Sequence, residues 1–148
     1  MVVYWLDLFT GTTWKEFREA GAKISGFRER RRKTVNQIAP GDILLCYITG
    51  VMRWVGALEV IGPSDNQEKI WAGQTDNDEL EFPARLQVTP LIMLDPEYGV
   101  PMEELEGNVA FYKDASYRGG FKGFLRGSPT KFDDEDGKFV YFLKPPRA

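Results

Sequence analysis

Ile43-Leu44-Leu45-Cys46-Tyr47-Ile48 is a continuous apolar run of strand length. It reads as a strand buried on both faces. A strand of that kind needs cover on each side, so it constrains the fold more than any other segment. Pro40-Gly41-Asp42 supplies the turn before it, and Thr49 to Arg53 connects it to a second strand, Trp54 to Ile61. Gly62 to Asn66 is a further turn.

The flanking segments extend this picture. Val2 to Leu8 is β-branched and aromatic and predicts a first strand. Thr13 with Glu16 forms a capping box that starts a helix running to about Gly21, with Trp14, Phe17 and the Arg18 stem on one face. Ile24 to Phe27 is short and extended, and Arg28 to Gln37 is a loop with one helical turn. Lys69 to Trp71 is a short edge strand, and Asp76 to Glu81 an acidic turn. Phe82 to Leu94 alternates as a long strand bent at Pro90. Val100 to Leu105 has proline near the start of a one-turn helix, and the acidic residues 133–136 lead into a last helix or strand that Pro145-Pro146 ends. About five strands with two or three short helices predict one α+β domain over residues 1–148, built on a closed or partly closed barrel.

Composition narrows the function. With 43% hydrophobic and 28% charged residues the chain is of ordinary globular type, which argues against disorder as its main state. One cysteine, Cys46, excludes an internal disulfide and a multi-cysteine zinc site. There is no histidine, so the commonest general base, nucleophile partner and metal ligand is missing. The net charge of −3 does not announce nucleic acid, but it is uneven: residues 1–74 carry +2 and residues 75–148 carry −5. No apolar run is long enough to span a membrane, and Met1 to Leu8 lacks the basic flank of a signal peptide. Cytoplasmic residence without a membrane partner is the expectation.

Several stretches, taken in order, resemble the EVE domain of the PUA-like superfamily, which is akin to the YTH domain. They are Tyr4-Trp5-Leu6, a capped helix with Trp14, Ile24-Ser25-Gly26-Phe27-Arg28, Pro40-Gly41-Asp42 leading to Tyr47, Trp54-Val55-Gly56-Ala57-Leu58-Glu59-Val60, Phe82-Pro83-Ala84-Arg85-Leu86-Gln87-Val88, and Phe124-Leu125-Arg126-Gly127-Ser128-Pro129. The resemblance covers nearly the whole chain. It implies a PUA-like curved barrel of five to six strands with short flanking helices, a concave pocket and no catalytic residues. No cofactor is expected, and Asp133, Asp134, Glu135 and Asp136 read as the charged start of a helix rather than as a metal site. YTH relatives read a methylated base in RNA, and EVE domains are associated with modified bases in DNA, often beside an effector nuclease. Many relatives carry tryptophan where this chain has Ser25, and that ring walls the base cage. Here the wall falls to Phe27, two residues on, or to Trp14, Trp54 or an aromatic of residues 111–124.

A flipped base is held by stacking and by hydrogen bonds to its edge. Ser25, Gly26, Phe27, Tyr47 and Thr49 are the candidates, with Trp14 and Trp54 as further stacking faces. Trp54 follows Arg53 into its strand and is expected half-exposed, whereas Trp5 and Trp71 are expected in the core. Alternatively Tyr47 and Phe27 are core and Ser25 is a turn residue. Arg28, Arg30, Arg31, Arg32 and Lys33 read either as a phosphate clamp or as a solvated face neutralised by the acidic runs 76–81 or 133–136. Between Tyr112 and Arg126 aromatic and basic residues interleave, Arg118 and Lys122 among them. That stretch reads either as a strand-binding surface or as a barrel-closing strand. Cys46, mid-strand without a histidine to activate it, is an inert thiol. The favoured function is a reader of a modified base in DNA. An RNA-binding module and a small-molecule or nucleotide-binding regulator are the alternatives.

Overall fold

A computed structural model describes residues 2–71, 82–113 and 120–143. Its centre is the run that the sequence singles out. β3 (Ile43–Ile48) is buried at all six positions, and each large side chain so placed contributes roughly 1.5–3 kcal/mol. β1 (Tyr4–Phe9) lies parallel to it, and β4 (Arg53–Ser64) antiparallel on its other side. β5 (Ala84–Met93) pairs with β4, and β2 (Ile24–Phe27) with β5. β7 (Thr130–Lys131) borders β1, and β6 (Val100–Pro101) extends the start of β4. The order is β2-β5-β4-β3-β1-β7 in one mixed sheet. β1 and β2 share no ladder, yet Ser25 of β2 reaches Asp7 of β1, so the sheet curls into a half-barrel with a seam between those strands.

Each face of the sheet carries its own apolar layer. The inner layer joins Trp5, Phe9, Leu44, Cys46 and Ile48 to Val55, Leu58, Leu86 and Val88, covered by α1 (Gly11–Glu19) through Trp14 and Phe17. The outer layer joins Tyr4, Leu6, Leu45, Tyr47, Trp54 and Ala57 to Met102, Leu105, Val109 and Phe132. Its cover includes α3 (Ala110–Lys113) and α4 (Asp134–Tyr141). Asp42 ties the turn to the inner layer. Its carboxylate accepts from the Trp5 indole at 3.1 Å, Ala39 N at 2.9 Å and Val3 N at 3.2 Å.

The structure shifts several expected elements. Helix α1 begins three residues early. β1 runs straight into it, so Thr10 is the N-cap and exchanges hydrogen bonds with Thr13 in the box expected of Thr13 and Glu16. Residues 69–71 form no strand. Residues 28–37 do hold a 3-10 turn and the one-turn helix α2 (Arg32–Val35). Gly120–Arg126 is 3-10 helical, which removes the barrel-closing strand there. Trp54 is buried at 4% exposure, not half-exposed. Cys46 pairs with Gly56 and Tyr47 with Trp54, so Val55 is an extra residue that turns Trp54 from the inner face to the outer one. A matching irregularity at Leu91 lies next to Pro90.

Candidate functional site

Where the seam opens, the ends of β1 and β2 diverge around a cleft of about 520 Å³. That is an ordinary size for a small-molecule or base site. Leu8, Phe9 and Thr10 line one side, and Gly26, Phe27 and Arg28 the other. Thr49, at the end of β3, and residues 126–128 complete it.

The apolar wall is aromatic. Trp71 and Phe82 meet edge to face, with centroids 5.2 Å apart at 84°. Both stand over Gly26. A Cβ there would lie 2.8 Å from the Phe82 Cβ and 3.0 Å from the Trp71 ring, so a side chain at this point of the strand would displace the wall. The Trp71 indole donates to Thr13 O at 3.2 Å, and Phe27 and Phe9 are buried behind it. Arg85, the ladder partner of Gly26, donates from Nε to Phe82 O at 3.0 Å. Its Nη1 donates to Asn66 O at 3.1 Å and Glu68 O at 2.7 Å, and its guanidinium lies 5.4 Å from the Trp71 ring centroid.

The rest of the lining is basic. Arg28, Arg30, Arg31 and Arg126 line the cleft, and no carboxylate does among the described residues. Arg28 lies 5.4 Å from the centroid of Phe82. Arg31 reaches across to donate from Nη2 to Pro129 O at 2.8 Å, over Gly127, where an added Cβ would fall 2.5 Å from that nitrogen. Ser128 Oγ accepts from Leu8 N at 3.0 Å, which fixes the same segment to β1.

Beneath the cleft the Ser25 hydroxyl donates to Asp7 Oδ2 across the seam. Burial pushes the Asp7 carboxyl up to about 7, with the Ser25 hydrogen bond opposing. Burial and the facing Asp7 also raise the Cys46 thiol, which fits an inert thiol rather than a reactive one. The described residues contain no group of three or more potential metal ligands. They also contain no helix long and apolar enough to cross a membrane.

The expected site residues divide. Gly26, Phe27, Thr49, Arg28, Arg30 and Arg31 come together on the cleft. Ser25 does not: it shares the inward parity of Phe27, is fully buried, and spends its hydroxyl on Asp7 rather than on a ligand. Tyr47 and Trp54 lie in the outer layer on the opposite face of the sheet, their rings 4.9 Å apart. Trp14 is fully buried and donates to Leu94 O at 2.9 Å. Arg32 turns away to pair with Glu29 at 2.5 Å and 2.9 Å, and Lys33 is exposed but off the cleft. Arg118 lies outside the described residues, as does the acidic run 76–81, and the Lys122 side chain is outside them too. In the run 133–136, Asp134 pairs with Lys138, and Asp136 accepts from the amides of Ala110 and Phe111. Trp71, Phe82 and Arg126 were not among the expected pocket residues. Gly26 was the available signal, since a glycine inside a strand marks a close approach, but it does not say by what.

No family model matches the sequence, and no curated protein matches it. Solved structures share its fold. The YTH domain of a Zygosaccharomyces rouxii protein, in complex with N6-methyladenosine RNA, aligns at a TM-score of 0.64 and 10% identity, covering 97% of this chain and 90% of that one. A protein of Agrobacterium tumefaciens aligns at 0.60 and 16%, covering 94% and 90%. A hypothetical protein from Leishmania major aligns at 0.58 and 15%, covering 95% and 93%. The chain therefore has the α+β, curled mixed-sheet fold of the YTH and PUA-like structures.

Proposed function

We propose that the cleft takes an unstacked base from a nucleic-acid strand and that the protein does no chemistry on it. One observation carries this reading: in a chain of net charge −3, aromatic faces and four arginines line a single cleft that no described carboxylate enters. Base stacking is worth about 1–3 kcal/mol per base, and guanidinium groups beside it hold the strand's phosphates. Phe82, half-buried, is the stacking face, backed by Trp71, which lies in the core as expected. Thr49 supplies a hydroxyl for the base edge, and Arg28, Arg30 and Arg126 face the backbone. In its finer form the protein is an EVE-type reader of a modified base in DNA, acting beside a separate effector. The order of motifs along the sequence supports that form. The neighbour bound to N6-methyladenosine RNA supports base reading and makes RNA the competing strand.

The test is binding of labelled duplex DNA and single-stranded RNA, each with and without methylated or hydroxymethylated bases, at two salt concentrations. The expected result is a gain on modification that Phe82→Ala removes. Arg30→Glu with Arg126→Glu is expected to weaken all binding and flatten its salt dependence. Salt-dependent binding blind to modification would leave only the basic rim, and no binding in any arm would overturn the reading.

A further inference from the structure

We propose that Arg85 is the positioning residue of the cleft: its buried guanidinium sets where Trp71 and Phe82 stand, and so whether a ring can enter between them and the arginine rim. The inference rests on the base-reading proposal and deepens it.

Arg85 is 3% exposed, and the partners described for it are backbone carbonyls rather than a carboxylate. Burial lowers the pKa of this guanidinium, and the Glu68 carboxylate opposes that from beyond ion-pair distance. A buried cation held mainly by carbonyls still costs free energy in desolvation, so a position that needed only filling would be better served by an apolar residue. The three carbonyls show what the charge does instead. Asn66 and Glu68 belong to a stretch that forms no ladder of its own and leads to Trp71, and the third carbonyl is that of Phe82 itself. One side chain thus anchors the approaches to both halves of the aromatic wall, and its guanidinium lies over the Trp71 ring. Gly26 allows the wall to close down, and Arg85, opposite it in the ladder, fixes how far. Lysine cannot reproduce this, because a single ammonium lacks the planar fork that spans separated carbonyls.

The test uses Arg85→Met, which keeps the packing on Trp71 and removes the three hydrogen bonds. Protein labelled with 5-fluorotryptophan gives four fluorine resonances, and Trp71→Phe assigns one. Arg85→Met is expected to move and broaden the Trp71 resonance while those of Trp5, Trp14 and Trp54 stay in place. In binding, the modification-dependent part is expected to fall at least tenfold with the salt slope unchanged, a split that general destabilisation would not produce. Should Arg85→Met fail to fold, Arg85→Lys is expected to show the same displacement of Trp71. An unmoved Trp71 resonance in a folded variant, or loss of both binding components together, would overturn the assignment. Failure of the wild type to bind any oligonucleotide would instead overturn the base-reading proposal, and the fluorine spectrum keeps the two failures apart.

Discussion

The two apolar layers solve the same burial problem with different chemistry. In the inner layer the buried polar groups have partners: Trp5 on Asp42, Trp14 on Leu94 O, Trp71 on Thr13 O and Ser25 on Asp7. In the outer layer Tyr47 Oη and Trp54 Nε1 are buried with no partner among the described residues, as is Arg31 Nε at the rim of the cleft. Hydrogen bonds are directional, so they fix orientation, whereas apolar packing fixes mainly volume. The inner layer adjoins the cleft, and there the chain specifies angles. The outer layer supports the sheet from behind, and there bulk suffices.

Three substitutions test that contrast, and the largest effect is expected at Asp7. Its carboxyl takes up a proton near pH 7 when folded and near 3.8 when unfolded. Between those values the folded state holds a proton that the unfolded state has lost, so stability falls as pH rises through the window and is level above it. Asp7→Asn keeps an acceptor for Ser25 and abolishes the fall. At about pH 8.5 it is expected to exceed the wild type by up to roughly 4 kcal/mol in urea unfolding, and by much less at about pH 4.5. A variant less stable than the wild type at the higher pH would contradict this. Next comes Asp42→Ala, which strands the buried Trp5 indole and two amides. A loss of about 2–3 kcal/mol is expected by chemical denaturation. A loss below about 0.5 kcal/mol would mean that the inner layer does not depend on its hydrogen bonds. The smallest effect is expected at Tyr47→Phe, which removes a hydroxyl with no partner among the described residues: stability unchanged or raised by up to about 1 kcal/mol in a thermal melt. A clear loss there would erase the difference between the layers.

The sheet was legible in the sequence wherever composition alone decides. β3 is apolar at every position, so no context could place it elsewhere. What was not legible depended on contacts between distant residues. Ser25 reads as a ligand donor until Asp7, 18 residues earlier, is seen to face it across the seam. Trp54 reads as half-exposed until the extra residue Val55 reverses its face, and nothing in Arg53-Trp54-Val55 announces that irregularity. Phe82 looks like the start of a strand, and only the space above Gly26 makes it a wall. The basic run was visible as a run. Its division into Arg28, Arg30 and Arg31 on the cleft and Arg32 on Glu29 follows from how a 3-10 turn followed by one helical turn distributes side chains.

Leu8 is held by Ser128, and β1 is bordered by β7, so the cleft is closed by residues about 120 positions apart. Contacts of such separation form late, because the intervening chain must first be ordered. During synthesis, β1 to β5 can pair as soon as they emerge, while the cleft waits for residues 126–131. A growing chain therefore holds most of its sheet before its cleft is complete, and it becomes competent only once residues 126–131 have been made and docked.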